Sequence, residues 1–468
     1  MNNFIDENFL LTTDVARQLY HEVTAPLPVI DFHNHLDPQK LAVNYCFSDL
    51  AELWISSDPY KHRMMRIAGI DEEIITGTRV SGKERYDAWA SLFPYTIGNP
   101  LFHWSCMELK RFFGIDDILN RQNADEIWET CNHLLRQPGW GMLDILQMCK
   151  VEVLCTSDDL LVDLTSHQQA SCQPQQIVVK PSLRADSISA FSSPSFRSFV
   201  LQLASQCGMQ INGLEEYLRA IELRLDDFSK AGCEYADHSL DAGFRFVQIS
   251  EAEASALFGK LMENQMLSSA ENIGLQSYLL SYLGRCYAQR DWCMQLHIGA
   301  KRDTNTRLRR SLGPAGGYAS IGQACDIDSL VRLLDSLDES DALPRTILYT
   351  LNPADNAAFA TLTGSYSGNG IRGKVQFGPA WWYNDHLEGM NQQLQALSSY
   401  GLLNSFVGMT TDSRTVLSFS RHEYFRRTLC RFIGQKVADG EFPSDLSLLG
   451  ELVRNICYNN IKKWRKLI

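Results

Sequence analysis

The chain has 468 residues, enough for one large barrel or for two to three ordinary domains with substantial cores. Its 45% hydrophobic and 21% charged residues mark an ordinary globular protein, and a formal charge of −12 argues against a nucleic-acid surface, which needs clustered Lys and Arg. An anionic small molecule would need a local basic pocket.

The first thirty residues carry polar and acidic positions throughout and no continuous apolar segment. Neither a secretory signal nor a membrane span is expected, and the chain is read as cytoplasmic. The 13 cysteines include no Cys-x-x-Cys pair, and several sit in apolar runs, as Cys155 and Cys293 do. They are expected as reduced core residues rather than disulfides or zinc ligands.

No internal repeat or long linker divides the chain, so a single domain over 1–468 is expected. Eight short β-like runs follow in chain order, at 28–33, 151–156, 177–180, 233–236, 292–298, 346–349, 374–377 and 405–409. Helical patterns separate most of them, which predicts an α/β protein of parallel βαβ units closing into a (β/α)8 TIM-like barrel. A doubly wound open sheet is the alternative. The interval after the first run is too long for one crossover, and 84–91, 100–113 and 125–135 read as helices. Residues 40–148 are therefore expected as a helical insertion on the loop after strand one.

In such a barrel, chemistry belongs to the C-terminal ends of the strands. That rule selects His33 and His35 after the first run, Arg184 and Asp186 after the third, and Asp237 and His238 after the fourth. The fifth run adds His297 and Arg302, and the eighth leads into Thr410-Thr411-Asp412-Ser413-Arg414. Alternate residues of a strand point the same way, so His33 and His35 can offer two imidazoles to one cation, with Asp412 as a third ligand and open positions for water or substrate. His297 is a further ligand or a supporting acid and base. Asp412 has a competing role, because Thr-Asp-Ser before a helical run also reads as an N-cap.

The His-x-His pair, His297 and Asp412 together resemble the amidohydrolase superfamily, and within it the chain resembles the uronate (glucuronate) isomerase family over essentially its full length. The matching segments include Asp31-Phe32-His33-Asn34-His35-Leu36, Asp58-Pro59-Tyr60-Lys61-His62-Arg63-Met64-Met65-Arg66 and Gln295-Leu296-His297-Ile298-Gly299-Ala300. Leu351-Asn352-Pro353, Gly373-Lys374-Val375-Gln376-Phe377-Gly378, Trp381-Trp382-Tyr383-Asn384-Asp385 and Val407-Gly408-Met409-Thr410-Thr411-Asp412-Ser413-Arg414 complete the series.

The resemblance implies reversible isomerisation of D-glucuronate to D-fructuronate and of D-galacturonate to D-tagaturonate, by proton transfer from C2 to C1 through a cis-enediol. It also implies a hexuronate as the small-molecule partner and one divalent metal ion, with zinc the expected ion and its catalytic necessity open. A homo-oligomer is allowed for. The substrate's C6 carboxylate calls for arginine, whose planar fork grips both oxygens. Arg302 and Arg414 are the candidates because each closely follows a rim ligand, with Arg184 a third. Arg426, Arg427 and Arg431 are expected on an ordinary solvated helical face. The family match assigns Tyr60 to catalysis with Asp412, and Lys61, Arg63 and Arg66 are expected to lower its phenol pKa from ~10. Trp381 or Trp382 offers a flat wall for the sugar, and Asn384 or Asp385 a hydroxyl contact.

Two departures matter. The fourth run ends in Asp237-His238 without a bridging Lys or Glu, and the sixth carries no histidine, which favours one metal over two. Asp303 beside Arg302 is expected to neutralise part of its charge. The runner-up reading is a mononuclear metal-dependent hydrolase of an anionic substrate, and a third is a catalytically silent sugar-acid binding protein.

Overall fold

The apolar runs become strands because they are buried on both faces, as every residue of Val29–Asn34 and of Cys293–Ile298 is. The computed structural model describes residues 4–465 except 315 and 369. Its strands in chain order are β1 (Val29–Asn34), β2 (Val151–Asp159), β3 (Val178–Arg184), β4 (Tyr235–Leu240), β5 (Cys293–Ile298), β6 (Ala300–Lys301), β7 (Ser320–Ile321), β8 (Arg345–Thr350) and β9 (Val375–Phe377). Seven of them pair in the order β1-β2-β3-β4-β5-β8-β9, all parallel, while β6 and β7 form a separate antiparallel pair. Helices such as Leu214–Lys230, Ser269–Gln289 and Ile327–Asp338 alternate with the parallel strands, giving the expected TIM-like architecture. Phe32, Cys155, Tyr235 and Tyr349 pack together in a core cluster contributed by these strands. No helix among the described residues is long and apolar enough to cross a membrane.

The eighth expected strand, 405–409, is absent from the sheet among the described residues. Gly408 explains part of this: its φ is +79°, and an added β carbon would lie 2.3 Å from the Ile456 carbonyl oxygen, so the C-terminal helices crowd the segment. A side chain and two backbone bonds further along take the place of the missing strand. Thr410 Oγ1 accepts the His33 amide at 2.8 Å, Asp412 N donates to His33 O at 3.0 Å, and His35 N donates to Ser413 O at 2.8 Å. Behind them Asp31, fully buried, accepts from Thr411 N (2.9 Å), His422 Nε2 (2.8 Å) and Asn34 Nδ2 (3.0 Å). The fourth run also moves, from 233–236 to Tyr235–Leu240, which carries Asp237 and Ser239 into the strand itself.

The expected solvated face of the Arg421–Ala438 helix is overturned. Arg426 is buried and donates to the carbonyls of Thr24, Leu27 and Pro28, while Arg427 is buried and holds those of Glu7 and Phe9. Arg431 is half-buried. Arg426 thus holds the carbonyls at the entry to β1, and Arg427 those of the N-terminal segment.

Between β1 and β2 the helices Gly82–Leu92, Pro100–Phe113 and Ala124–Leu135 occupy the predicted helical stretches. The short helix Pro59–Ile67 is the one that matters for chemistry. Asp58 caps it, accepting from Tyr60 N and Lys61 N, and Pro59 stands at the first turn, where its missing N–H costs nothing. Lys61 is buried between Asp58 (2.7 Å) and Glu108 (3.6 Å). This pins the first turn, and Tyr60 with it, to the Pro100–Phe113 helix.

His62, on the same helix, is buried with Nε2 unpartnered, and burial lowers its pKa from 6.5 to about 4. A histidine kept neutral by the fold contributes stability that is complete above pH 6.5 and is lost as pH falls toward 4, because the unfolded chain binds the proton first. Its share of the acid sensitivity is about 3 kcal/mol across that window. His62→Phe is expected to flatten the unfolding free energy between pH 6.5 and 4 in urea titrations; an unchanged slope would show that His62 is not the group responsible.

Candidate active site

One cavity of about 440 Å³ opens at the C-terminal ends of the strands. His33, His35, Tyr60, Arg184, His297, Arg302, Trp381, Asp412 and Arg414 all line it, so most of the residues selected for chemistry from the sequence meet there. Asp186 and Asp237 join them, whereas His238 turns away and bonds to Tyr287 OH.

At the floor, Asp412 Oδ1 lies 2.8 Å from His35 Nε2 and 3.3 Å from His33 Nε2. Its other oxygen accepts the Trp381 indole N–H at 2.7 Å. Asp412 therefore does not cap a helix; with φ at +47° it is turned back toward the histidines. Asn34, between the two histidines, points away to Asp31 and the Cys155 carbonyl. Burial raises the Asp412 pKa, but the hydrogen bonds from His33 and His35 outweigh it and hold the carboxyl well below the usual range.

His33 also faces a second group. Its Nδ1 is buried without a partner, 4.0 Å from Asp237 Oδ1, and His297 Nε2 is likewise buried and unpartnered. Burial keeps His297 neutral, its ring stacked on Tyr349 at 4.4 Å. His33, His35 and Asp412 form one set of potential ligand atoms within 4.8 Å of one another, and His33, Asp237 and His297 form a second. Tetrahedral ligands at ~2.05 Å from zinc stand about 3.3 Å apart, so the first set has the donor types and spacing of a metal centre.

Tyr60 reverses one expectation. Burial pushes its phenol well above 10, and Asp385, Asp412 and Asp58 reinforce the shift. The basic neighbours in sequence are committed elsewhere: Lys61 to Asp58 and Glu108, Arg63 to the Ala319 carbonyl and Arg66 to Glu72. The cation that does face the Tyr60 ring is Arg421, 5.8 Å from its centroid, a residue the sequence reading overlooked. Arg421 is buried, also lies 5.1 Å from the Trp104 ring, pairs with Asp385 and donates to the Thr411 carbonyl at 2.8 Å. It thus ties Tyr60 to the backbone beside Asp412. Asp385 and Asn384, expected to meet hydroxyls, are instead buried supports, bonded to Arg421 and to the Leu351 carbonyl.

The opposite wall is basic. Arg184 is held by Asp186 at 2.8 Å and Arg302 by Asp241 at 2.8 Å. Asp303, the expected neutraliser of Arg302, pairs with Arg309 instead. Among the described residues no hydrogen bond or ion pair holds the Arg414 guanidinium, and burial with Arg184 and Arg302 nearby lowers its pKa against the pull of Asp412.

The family model for glucuronate isomerase matches residues 1–465. The chain belongs to the glucuronate isomerase family. It is 44% identical to the uronate isomerase of Salmonella arizonae over 99% of both chains, and 44% identical to that of Mannheimia succiniciproducens over the full length of both. Among solved structures, the uronate isomerase of Thermotoga maritima superposes with a TM-score of 0.93 at 32% identity, over 99% of this chain and all of the other. The family's fold and the cavity thus belong to the same chain from end to end.

The two ligand sets share His33, and metal titration separates them. Asp412→Ala is expected to weaken zinc binding beyond the ~10–100-fold that a supporting partner costs, and Asp237→Asn to stay within it. The reverse order, measured by competition with a chromophoric chelator, would move the metal to the buried set.

Proposed function

We propose that the cavity binds an open-chain hexuronate with its C6 carboxylate on the arginine wall and its C1–C2 end between Tyr60 and Asp412. Family membership makes the chain a hexuronate isomerase, interconverting aldose and ketose forms such as D-glucuronate and D-fructuronate, and D-galacturonate and D-tagaturonate. The observation that carries the binding mode is Arg414, a guanidinium without a hydrogen-bonded protein partner that lines the same cavity as the histidine and aspartate cluster.

His33, His35 and Asp412 would hold a divalent ion, for which zinc fits the nitrogen and carboxylate donors, and His297 stands as a further neutral ligand or proton carrier. Such an ion, when bound, polarises a carbonyl or hydroxyl oxygen as a Lewis acid.

The chain's own groups divide the proton work. Tyr60 is kept protonated by burial, so its phenol donates toward the C1 oxygen as negative charge develops there. Asp412 stays ionised and is the acceptor for the C2 proton, which it returns to C1 of the cis-enediol, while the Tyr60 phenolate takes back the O2 proton as the C2 carbonyl forms. Trp381 holds the Asp412 carboxylate through its indole N–H and fixes the direction from which it approaches. Arg414 grips the C6 carboxylate through two parallel hydrogen bonds.

Incubation with D-glucuronate in deuterium oxide is expected to give ketose with deuterium at the exchanged carbon; a folded, metal-loaded protein that yields neither rules the proposal out. Arg414→Met is expected to cost about 2–4 kcal/mol of binding, roughly 30- to 1,000-fold in KM, at nearly unchanged kcat. Tyr60→Phe is expected to lower kcat by ~10²–10⁴-fold with KM nearly unchanged. Near-parent kinetics for either variant would remove that residue from the site.

A further inference from the structure

The arginine wall is a connected structure, built across the mouths of three adjacent strands. Arg184, the last residue of β3, is tied through Nε alone, to Asp186 Oδ2 at 2.8 Å. Arg302, beyond β5, is tied through Nε to Asp241 and through Nη2 to Ser239 Oγ at 3.0 Å. Ser239, in β4, gives its amide N–H to Asp186 Oδ1 at 3.0 Å and its hydroxyl to Asp186 Oδ2 at 3.2 Å. A hydroxyl has one proton to donate and lone pairs to accept with, so Ser239 serves both neighbours at once. The result is one chain of contacts from Arg184 through Asp186 and Ser239 to Arg302.

We infer that Asp186 and Ser239 are positioning residues that fix the spacing and orientation of Arg184 and Arg302, so that the free edges of both guanidinium groups face one carboxylate in the cavity. The inference rests on the proposed placement of the C6 carboxylate at this wall. Arg184 is bonded only through Nε and Arg302 through one side of its fork, so each keeps N–H groups for a ligand. Long arginine side chains lose rotamer freedom when they close on a ligand; anchoring them beforehand removes that cost from the binding step. The Asp186 carboxylate between the two cations also offsets their mutual repulsion, which would otherwise splay them apart. Asp186 is suited to this where Asn is not: both its oxygens act as acceptors, and Oδ2 takes two donors, whereas an amide supplies a single oxygen.

The test uses the full-length, metal-loaded chain and two readouts. The first is calorimetric binding of L-gulonate, the open-chain acid that D-glucuronate gives when its aldehyde is reduced, which keeps the carboxylate and cannot be isomerised. The second is the KM and kcat for D-glucuronate. Ser239→Ala is expected to weaken L-gulonate binding and raise KM by 3- to 10-fold with kcat within twofold, and Asp186→Asn to do so by more than 10-fold. Ser239→Thr, which restores the hydroxyl, is expected to recover binding to within threefold of the parent. A role in folding alone would instead lower the melting temperature and leave the KM of the folded fraction at the parent value. L-gulonate binding within twofold of the parent in Ser239→Ala overturns the inference, whether or not Asp186→Asn folds. A parent chain that binds L-gulonate yet leaves D-glucuronate unchanged defeats the proposed reaction and leaves this inference standing on the binding data. A parent chain that binds no L-gulonate overturns both the carboxylate placement and this inference.

Discussion

Asp31 is a carboxylate with no access to water, and the closure of the barrel depends on it. Four donor groups converge on its two oxygens: Asn34 and Thr410 on one, the Thr411 amide and His422 on the other. Burial penalises its charge, but the hydrogen bonds, led by that of His422, outweigh the penalty and hold its pKa below the ordinary value. Backbone bonds from Asp412 N to His33 O and from His35 N to Ser413 O join the segment carrying Asp412 to β1, and this cluster reinforces that seam from behind. Loss of any one partner would leave a buried charge short of a donor, the kind of defect that costs several kcal/mol. A register shift in β1 between Asp31 and Asn34 lets Asp31 and Asn34 face the seam while His33 faces the cavity, so the seam and the candidate metal ligands are built on one short strand.

Arg421 extends that constraint to the helical region between β1 and β2. Its guanidinium faces the rings of Tyr60 and Trp104, pairs with Asp385 and holds the carbonyl beside Asp412. Tyr60 and Asp412, far apart in sequence, therefore share one rigid intermediary. The barrel supplies the histidines and the carboxylate, the inserted helices supply the phenol, and Arg421 sets the distance between them. Lys61, locked between Asp58 and Glu108 on the neighbouring turn, prevents the short Pro59–Ile67 helix from shifting independently.

Much of this was legible in the sequence, and what was not has identifiable causes. Seven of the eight strands announce themselves as apolar runs, because a parallel strand buried on both faces can be little else. The rule that chemistry sits at strand ends then places His33, His35, His297, Arg302 and Asp412 in one cavity. The eighth run reads equally well as a strand, and only Gly408, pressed against the Ile456 carbonyl, betrays that it is not one. Charge partners are the least legible, because they are set by tertiary contacts: the basic neighbours of Tyr60 in sequence point elsewhere, and Arg302 pairs with Asp241 across the strand ends rather than with adjacent Asp303. Arg426, Arg427 and Arg431 look like an exposed basic face of a helix, yet the first two are buried and the third half-buried. The one available signal was Asp31, an acid inside an apolar run, which demands buried donors somewhere in the fold.

The formal charge of −12 and an anionic substrate seem opposed, and the cavity resolves the opposition by range. At physiological ionic strength, exposed charges more than about 8 Å away are largely screened, so the surplus of surface acids acts weakly inside a recessed site. Within the cavity the arginines are gathered on one side rather than in excess, since six aspartates and four arginines line it. Asp186 and Asp241 pair with Arg184 and Arg302, while Arg414 stands near both without a hydrogen-bonded partner of its own and feels the charge of Asp412. The wall is therefore short of one negative charge at the place where the guanidinium fork is free. A carboxylate arriving there relieves the repulsion among the three arginines as well as forming its own hydrogen bonds, whereas a neutral sugar leaves the repulsion in place. On the proposed placement, an acid is favoured over a neutral hexose by the charge it neutralises as well as by the hydrogen bonds it makes.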